Sequence, residues 1–200
     1  MAVNLKKAGF EIIGFDDWKG IYEKAETAGF TRVNTVKEVA ELADEAIISM
    51  VRDYAQNMDV IFGENGILTG EKTNGKVIIV MSTLSPDAMN ELGARVEVDS
   101  RLKLISAAVS AGASGAQAST LSIMTSGDET SVKSFAPYFV AMGSHTFYYG
   151  PEAGNSQVAK LVNNMILGIN MNAIAEGLKM RETLWLTGRR YLKSTKSKYW

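Results

Sequence analysis

The sequence contains no cysteine and only one histidine among its 200 residues. Without cysteine it can form neither a disulfide nor a thiolate metal site, and with His145 alone no zinc site is expected. The formal net charge is −1, so the basic surface of a general nucleic-acid binder is absent. No apolar run reaches the roughly 18 residues that span a bilayer. The first ten residues, MAVNLKKAGF, lack a signal-peptide apolar region, so we expect a cytoplasmic protein without nucleic-acid or membrane partners.

Apolar residues make up 46% of the chain, which is enough for a substantial core. Short, nearly continuous apolar runs alternate with helical patterns, as is typical of a parallel sheet covered on both faces. We therefore predict a doubly wound α/β domain over residues 1–153, followed by a second region, 154–200, that begins with a helix over 156–184. The predicted strands are 11–16, 31–33, 46–51, 76–81, 102–109, 121–125 and 145–149, and the helices before residue 150 are 18–28, 36–43, 54–62, 85–98 and 129–142.

The segment GPEAGNSQVAKLVNN, residues 150–164, is the most informative stretch. Two glycines bend the chain before a helix that carries Lys160 and Asn164 on one face, because they are four residues apart. The apolar residues around Lys160 predict that it is buried, and burial lowers a lysine pKa toward neutrality. A lysine of this kind can donate or accept a proton. The alternative is a lysine that snorkels to solvent from the helix edge.

Several segments in order resemble the 3-hydroxyacid dehydrogenase family, which is typified by 3-hydroxyisobutyrate dehydrogenase and related to 6-phosphogluconate dehydrogenase. MAVNLKKAGF is similar to the end of that family's dinucleotide fingerprint and its first helix. GENGIL and MSTLSP, at residues 63–68 and 81–86, resemble its cofactor-side loops. SAAVSAGASGAQASTLSIMTSGD, at residues 106–128, resembles its substrate loop, and residues 150–164 resemble its catalytic helix. The resemblance runs to about Met180 and implies a Rossmann-like fold.

The resemblance also implies where the cofactor binds. Asp16, at the end of the second family strand, is the position that accepts the ribose hydroxyls, and a carboxylate there favours NAD over NADP. Asp16 also suits a helix cap, which is compatible with the same position. Val51 and Arg52 correspond to residues that line the cofactor, although the family usually has Leu-Pro there. Thr83 corresponds to a residue on the nicotinamide side, and its alternative is a plain turn before the next helix.

The resemblance also implies which residues bind the substrate and which one transfers the proton. The family implies Lys160 as general acid or base, Asn164 as a substrate ligand, and Ser110 with Gly112 as the ligands of a substrate carboxylate. The reaction implied is hydride transfer between nicotinamide and a small 3-hydroxyacid. Three residues depart from the family pattern in the substrate loop: Ser106, Ala108 and Ala111. A loop of small residues could equally serve as a tight crossover without a ligand.

The family pattern extends past both ends of the match, so the chain resembles a member truncated at each end. A central strand and a G-x-G-x-x-G loop would precede Met1, and further helices would follow Met180. Without that strand, we expect strands 11–16 and 46–51 either to close up on each other or to form a loose region.

Three functions are therefore considered. The first is an NAD-dependent 3-hydroxyacid dehydrogenase that forms a homo-oligomer through its C-terminal helix. The second is a non-catalytic remnant that acts as an interaction or scaffold module, whose exposed apolar helix would favour self-association. The third is an NADPH-dependent semialdehyde or imine reductase on the same scaffold.

Overall fold

A computed structural model describes residues 1–98 and 101–183, apart from the side chains of residues 19, 22, 182 and 183. The predicted end of the last helix at residue 184 lies outside this part of the chain. No helix within the described part has both the length and the hydropathy needed to cross a bilayer. In chain order the elements are α1 Ala2–Lys7, β1 Ile13–Gly14, a 3₁₀ turn Lys19–Ile21, α2 Tyr22–Thr27, β2 Thr31–Arg32, α3 Val36–Leu42, β3 Ala46–Ser49, α4 Tyr54–Phe62, a 3₁₀ turn Ile67–Thr69, β4 Lys76–Val80, α5 Pro86–Val98, β5 Leu102–Ser110, α6 Gly112–Ala118, β6 Leu121–Gly127, α7 Glu129–Ser134, α8 Ala136–Met142, β7 Gly143–Tyr148 and α9 Asn155–Thr183.

Helix starts follow from side chains that cap free backbone N–H groups. The Thr35 hydroxyl accepts the Glu38 N–H at 3.1 Å at the start of α3. The Asp53 carboxylate accepts the Gln56 N–H at 2.9 Å at the start of α4, and Asp128 begins α7 in the same way. Ser, Thr and Asp are favoured at these positions because they satisfy donors that the helix leaves unpaired.

The main sheet has five strands in the order β3-β4-β5-β6-β7. The first three strands run parallel, as the sequence predicts. Strand β4 is buried on both faces: Val77 and Ile79 pack into one hydrophobic cluster, and Ile78 and Val80 pack into the other. The α/β class is therefore confirmed, with helices packed on a sheet that is apolar on both sides.

One strand direction differs from the parallel prediction. Strand β6 runs antiparallel to β5, with Ser110 opposite Ser122 and Ile105 opposite Gly127. Only the short helix α6 and its flanking residues connect the two strands. A parallel crossover needs a dozen or more residues, so this connection returns the chain in the opposite direction. The sheet is consequently mixed.

Of the two alternatives for the strands near residues 11–16 and 46–51, the one in which they close up on each other is wrong, and the loose region stays a prediction. Strand β1 pairs with β2 in a separate two-stranded parallel sheet. Strand β3 pairs with β4 and forms the edge of the five-stranded sheet. Because β1 has only two residues, its ladder is too short to provide β3 with a partner.

The chain separates into two compact units, Met1–Lys160 and Leu161–Trp200, so the division falls inside α9. The expected domain division between residues 153 and 154 stays a prediction. In the second unit, the described part of α9 exposes many large apolar side chains. They are Leu161, Val162, Met165, Ile166, Leu167, Ile169, Met171 and Met180.

Candidate active site

The carboxyl ends of β3, β4 and β5 lie at the same edge of the sheet, because the three strands are parallel. In open α/β sheets this edge is where ligands bind. Buried hydroxyl groups are concentrated there. Ser49 ends β3, Ser82 follows β4, and Ser106 in β5 lies beside Val80, the last residue of β4.

Asn57 in α4 joins the ends of β3 and β4. Its side-chain oxygen accepts the Ser49 hydroxyl at 2.9 Å, and its NH₂ donates to Ser82 Oγ at 3.2 Å. The Ser82 hydroxyl in turn donates to the backbone oxygen of Val51 at 2.7 Å. These buried polar groups are thus satisfied by one another and hold the two strand ends in place.

The start of α9 is attached to the same edge by Ser156 and Gln157. The hydroxyl oxygens of Ser156 and Ser106 are 2.6 Å apart. The Gln157 oxygen accepts the Leu84 N–H at 2.9 Å. Its NH₂ donates to the backbone oxygen of Ser82 and to Ser106 Oγ, both at 3.1 Å. The first turn of α9 is therefore bonded to the loop that follows β4 and to β5.

Close backbone contact also requires glycine just before this helix. The Gly154 N–H donates to the Asn90 side-chain oxygen at 2.7 Å. A Cβ at Gly154 would lie 2.6 Å from the Pro86 backbone oxygen, so no larger residue fits without displacement. The second glycine of the 150–164 segment is explained by this approach to α5.

Lys160 lies one turn beyond Ser156 on α9, and it is only 9% exposed. Burial lowers the pKa of its ammonium group. In the described part of the chain, the Lys160 ammonium has no hydrogen-bond or ion-pair partner, and no carboxylate offsets its desolvation. A buried lysine without a counter-charge holds its proton weakly, which is the property needed for proton transfer near neutral pH.

Asn164, the predicted substrate ligand, belongs to the second compact unit, where its side chain is exposed. It follows Lys160 by four residues in the continuous helix α9. Its role in binding substrate remains a prediction.

The predicted carboxylate ligands, Ser110 and Gly112, lie at the end of β5 and the start of α6. Between them, Ala111 has a φ of 99°, in the left-handed region that normally requires glycine. Gly112 follows with a φ of 62°. The loop is therefore a strained turn, and small side chains keep its backbone open to solvent on the Gly112 side.

The four predicted cofactor residues all follow strand ends. Asp16 is exposed two residues after β1, and one of its carboxylate oxygens accepts the Trp18 N–H at 2.9 Å, which fits the capping role. Val51 and Arg52 follow β3, and Arg52 is exposed. Thr83 is exposed after β4, whereas Ser85 caps α5 by accepting the Ala88 N–H at 3.2 Å.

A cleft of about 330 Å³ is lined in part by Phe15, the residue before Asp16. Phe15 supplies an aromatic ring to it, and Asn34 and Asn65 supply amides. Asp59 and Glu64 also line the cleft. Its volume lies in the range of small-molecule sites, and an aromatic surface beside amides suits a planar base.

His145 lies on β7, at the far edge of the sheet from β3, where it is exposed. Its Nδ1 is 2.9 Å from the Ser144 hydroxyl oxygen, and its ring stacks on Phe147 with centroids 6.2 Å apart. No cluster of three or more metal-ligating side chains occurs within residues 1–98 and 101–183.

The buried polar network was missed by the sequence analysis. Its members share one signal, a polar residue inside or next to an apolar run. That signal marks burial but does not identify the partner. The residues are Ser49, Asn57, Ser82, Ser106, Ser126, Ser156 and Gln157.

Known proteins resemble this chain throughout its sheet and first helices. It is 33% identical over 179 residues to a probable mitochondrial 3-hydroxyisobutyrate dehydrogenase of Dictyostelium discoideum, covering 90% of this chain and 54% of that protein. It is 31% identical over 180 residues to an NAD-dependent L-serine dehydrogenase of Pseudomonas aeruginosa, covering 90% of this chain and 59% of that protein. The chain therefore spans little more than half the length of these curated relatives.

A solved structure has the same fold. It is a 3-hydroxyisobutyrate dehydrogenase of Mycobacterium tuberculosis with L-serine, 26% identical, with a TM-score of 0.82 over 99% of this chain and 66% of that one. The family model for the NAD-binding domain of 6-phosphogluconate dehydrogenase matches residues 1–150. Because this match takes in the strand ends described above and well over half of the chain, the chain belongs to the family of the NAD-binding domain of 6-phosphogluconate dehydrogenase.

Proposed function

We propose that this chain carries the cofactor and proton-transfer side of an NAD-dependent dehydrogenase of small 3-hydroxyacids. The observation that carries the proposal is the buried Lys160, whose pKa is lowered by burial and whose ammonium has no counter-charge in the described part of the chain. A lysine in that state is costly unless it has a task. Lys160 lies one turn after the start of α9, which is bonded to the ligand-binding edge, and this position supports a role in proton transfer.

NAD is the cofactor that the family's description names, and residues that follow β1, β3 and β4 suit it. Asp16 supplies an exposed carboxylate for ribose hydroxyls, and the cleft lined by its neighbour Phe15 has an aromatic ring and amides. The exposed Thr83 hydroxyl has no hydrogen-bond partner in the described part of the chain, so it is open to a ligand. The Val51 backbone, fixed through Ser82, borders the same edge. When bound, NAD supplies the acceptor for the hydride in oxidation and its donor in reduction.

The chain's own task is to move the proton. In oxidation the carbinol carbon loses a hydride and the substrate hydroxyl loses a proton, which the neutral Lys160 amine accepts as the C–O bond becomes a carbonyl. In reduction the protonated amine returns that proton to the oxygen. Because burial lowers its pKa, Lys160 can take both forms closer to neutral pH than an exposed lysine.

The substrate class follows from the substrate loop and from the relatives. The Ser110 hydroxyl and the Gly112 N–H would bind the substrate carboxylate, and Asn164 would bind a second polar group. L-serine, which is named for two of the relatives, is itself a small 3-hydroxyacid. We therefore expect 3-hydroxyisobutyrate and L-serine among the substrates to test first.

The long helix α9 supports a homo-oligomer. Val162, Met165, Ile166 and Ile169 share one helix face, and their side chains are 46%, 59%, 51% and 60% exposed. An apolar face of this extent is normally covered by protein. A concentration-dependent mass in sedimentation that Ile166→Glu lowers to that of a monomer would support this assembly, and a monomer at all concentrations would count against it. The cytoplasmic location also stays a prediction, which cell fractionation can test.

The activity is tested by titrating NAD and NADP separately and then assaying a panel of 3-hydroxyacids. We expect NAD to bind more tightly and the Lys160→Ala variant to lose activity. Lys24→Ala, which removes an exposed lysine on α2, is the matched control and should be unchanged. Activity that survives in Lys160→Ala would contradict the proposed role of Lys160. A clear preference for NADPH would favour the reductase, and failure to bind either nucleotide would favour the scaffold module.

A further inference from the structure

Gln157 is fully buried, yet all the contacts of its carboxamide lie outside its own helix. The oxygen accepts the Leu84 N–H at 2.9 Å, and the NH₂ donates to the backbone oxygen of Ser82 at 3.1 Å. Its third bond is to Ser106 Oγ at 3.1 Å. A carboxamide is the side chain that offers a donor and an acceptor side by side, and both are used.

The two backbone groups bound by Gln157 flank a single residue, Thr83. The Ser82 carbonyl precedes it and the Leu84 N–H follows it, so the chain is held on both sides of Thr83. The Thr83 side chain itself remains exposed. Gln157 therefore fixes the backbone that presents Thr83 without occupying its hydroxyl.

Gln157 also lies close to Lys160 along the helix. Lys160 follows Gln157 by three residues in α9, and residues at that spacing lie next to each other on a helix surface. The helix backbone between them is rigid, so a shift of Gln157 relative to β4 moves Lys160 with it. Both residues are buried, with 0% and 9% exposure.

We propose that Gln157 is a positioning residue, which sets the placement of Lys160 relative to Thr83 through its paired bonds to Ser82 and Leu84. This inference rests on the proposed function, in which Thr83 lies on the cofactor side and Lys160 exchanges the substrate proton. Hydride and proton leave adjacent atoms of one substrate, so their acceptors must keep a constant separation. Gln157 acts through the backbone and does not itself touch the substrate.

The amide is expected to matter more than its volume. Methionine has nearly the same length but can form none of the three hydrogen bonds. Glutamate keeps the acceptor for the Leu84 N–H but loses the donor to the Ser82 carbonyl. Methionine therefore tests the loss of all three hydrogen bonds at nearly constant side-chain length, and glutamate tests the loss of the donor alone.

The experiment compares Gln157→Met and Gln157→Glu with Lys24→Met, which changes an exposed lysine on α2. For Gln157→Met we expect kcat to fall about 100-fold, as for a misplacement near 1 Å. The dissociation constant of NAD should stay within about threefold, which is far below that loss. The deuterium isotope effect on kcat, with deuterium on the carbinol carbon, should rise because hydride transfer becomes slower than product release. Gln157→Glu should also lose kcat, because its buried carboxylate would face the Ser82 carbonyl oxygen without a donor between them, and Lys24→Met should match wild type.

A second readout does not depend on turnover. Titration of the Lys160 Nζ by ¹⁵N NMR should show a shifted pKa in Gln157→Met and none in Lys24→Met, because only the first variant changes the surroundings of Lys160. No charged side chain in the described part of the chain acts on this ammonium, so a change in its pKa would report a change in the position of Lys160. A lowered melting temperature with unchanged kcat, isotope effect and Lys160 titration would overturn the inference. If wild type itself is inactive, the proposed function fails, while the NMR titration still decides whether Gln157 positions Lys160.

Discussion

The hydroxyl oxygens of Ser106 and Ser156 lie 2.6 Å apart, although the two residues are 50 positions apart in the sequence. This bond joins the middle of β5 to the first turn of α9. Both side chains are fully buried, so each hydroxyl depends on the other and on the groups around the pair. The Ser156 N–H donates to Ser126 Oγ at 3.1 Å, which extends the network to β6.

The Ser106–Ser156 pair should show strong energetic coupling. Ser106→Ala and Ser156→Ala should each lower the free energy of unfolding by about 1–3 kcal/mol, because each leaves a buried polar group unsatisfied. The double variant should cost less than the sum, with a coupling of about 0.5–3 kcal/mol. Urea denaturation measures both quantities. Ser134→Ala, at an exposed position on α7, is the control, and additive losses would show that the pair is not coupled.

Lys160→Met should stabilise the protein while removing its activity. The buried ammonium is disfavoured in the folded state, so its lowered pKa costs stability at every pH below that folded pKa. We expect a gain of about 0.5–2 kcal/mol at neutral pH. The gain should shrink as the pH rises from the folded pKa toward that of the unfolded chain, where the amine is neutral in both states. Thermal unfolding across that pH range checks the sign, and a loss of stability at neutral pH would contradict it.

The two reaction directions should depend on pH in opposite ways. Oxidation needs the neutral amine of Lys160, so its rate should rise as the pH passes upward through the lowered pKa. Reduction needs the protonated amine, so its rate should fall over the same interval. The midpoint should lie below the pKa of an exposed lysine. Profiles of kcat/KM in both directions measure this, and two profiles that rise together would exclude Lys160 as the shared acid and base.

The strained Ala111 should benefit from glycine. Its φ of 99° costs an L-residue energy that glycine does not pay, so Ala111→Gly should raise the free energy of unfolding by about 1 kcal/mol. A methyl group at Gly115 would collide with the Ala111 methyl, so Gly115→Ala should be strongly destabilising alone. It should be tolerated better in the Ala111→Gly background. Denaturant unfolding of the four proteins tests this, and equal costs in both backgrounds would refute the collision.

Asp16 should control the choice between NAD and NADP. Asp16→Asn keeps an acceptor for the Trp18 N–H at 2.9 Å but removes the charge that repels a 2′-phosphate. The ratio of NAD to NADP affinity should therefore fall about tenfold, which corresponds to about 1.4 kcal/mol. Calorimetric titration of both nucleotides measures the ratio. Asp17→Asn, at the exposed neighbour, should leave it unchanged, and an equal effect there would point to general charge instead.

Local pattern predicted most of the elements but not how they are arranged. The helix over residues 54–62 and the five-residue core of β4 follow from caps and apolar runs within a few residues. The same reasoning predicted one helix over 129–142, whereas the structure has two, α7 and α8, with Phe135 between them. Pro137 accounts for the interruption, because proline cannot continue a helix from the preceding turn.

The candidate site was predicted unevenly for the same physical reason. The burial of Lys160 was predicted from the apolar residues around it, yet Leu161 and Val162 are themselves exposed in the structure, so the local pattern does not explain why Lys160 is the buried member. The Gln157 bond to Ser82 joins residues 75 positions apart, and no local period encodes such a partner. The antiparallel direction of β6 likewise depends on how the short connection through α6 packs.

By itself, the sequence determined the order of the strands, most of the helices and the family resemblance. Each of these depends on residues close together along the chain. Only the tertiary structure decided that β1 and β2 form a separate sheet, that β6 runs antiparallel, and that Gln157 bonds to both sides of Thr83. These features arise from packing between distant segments, where hydrogen-bond partners are selected by the geometry of the whole sheet.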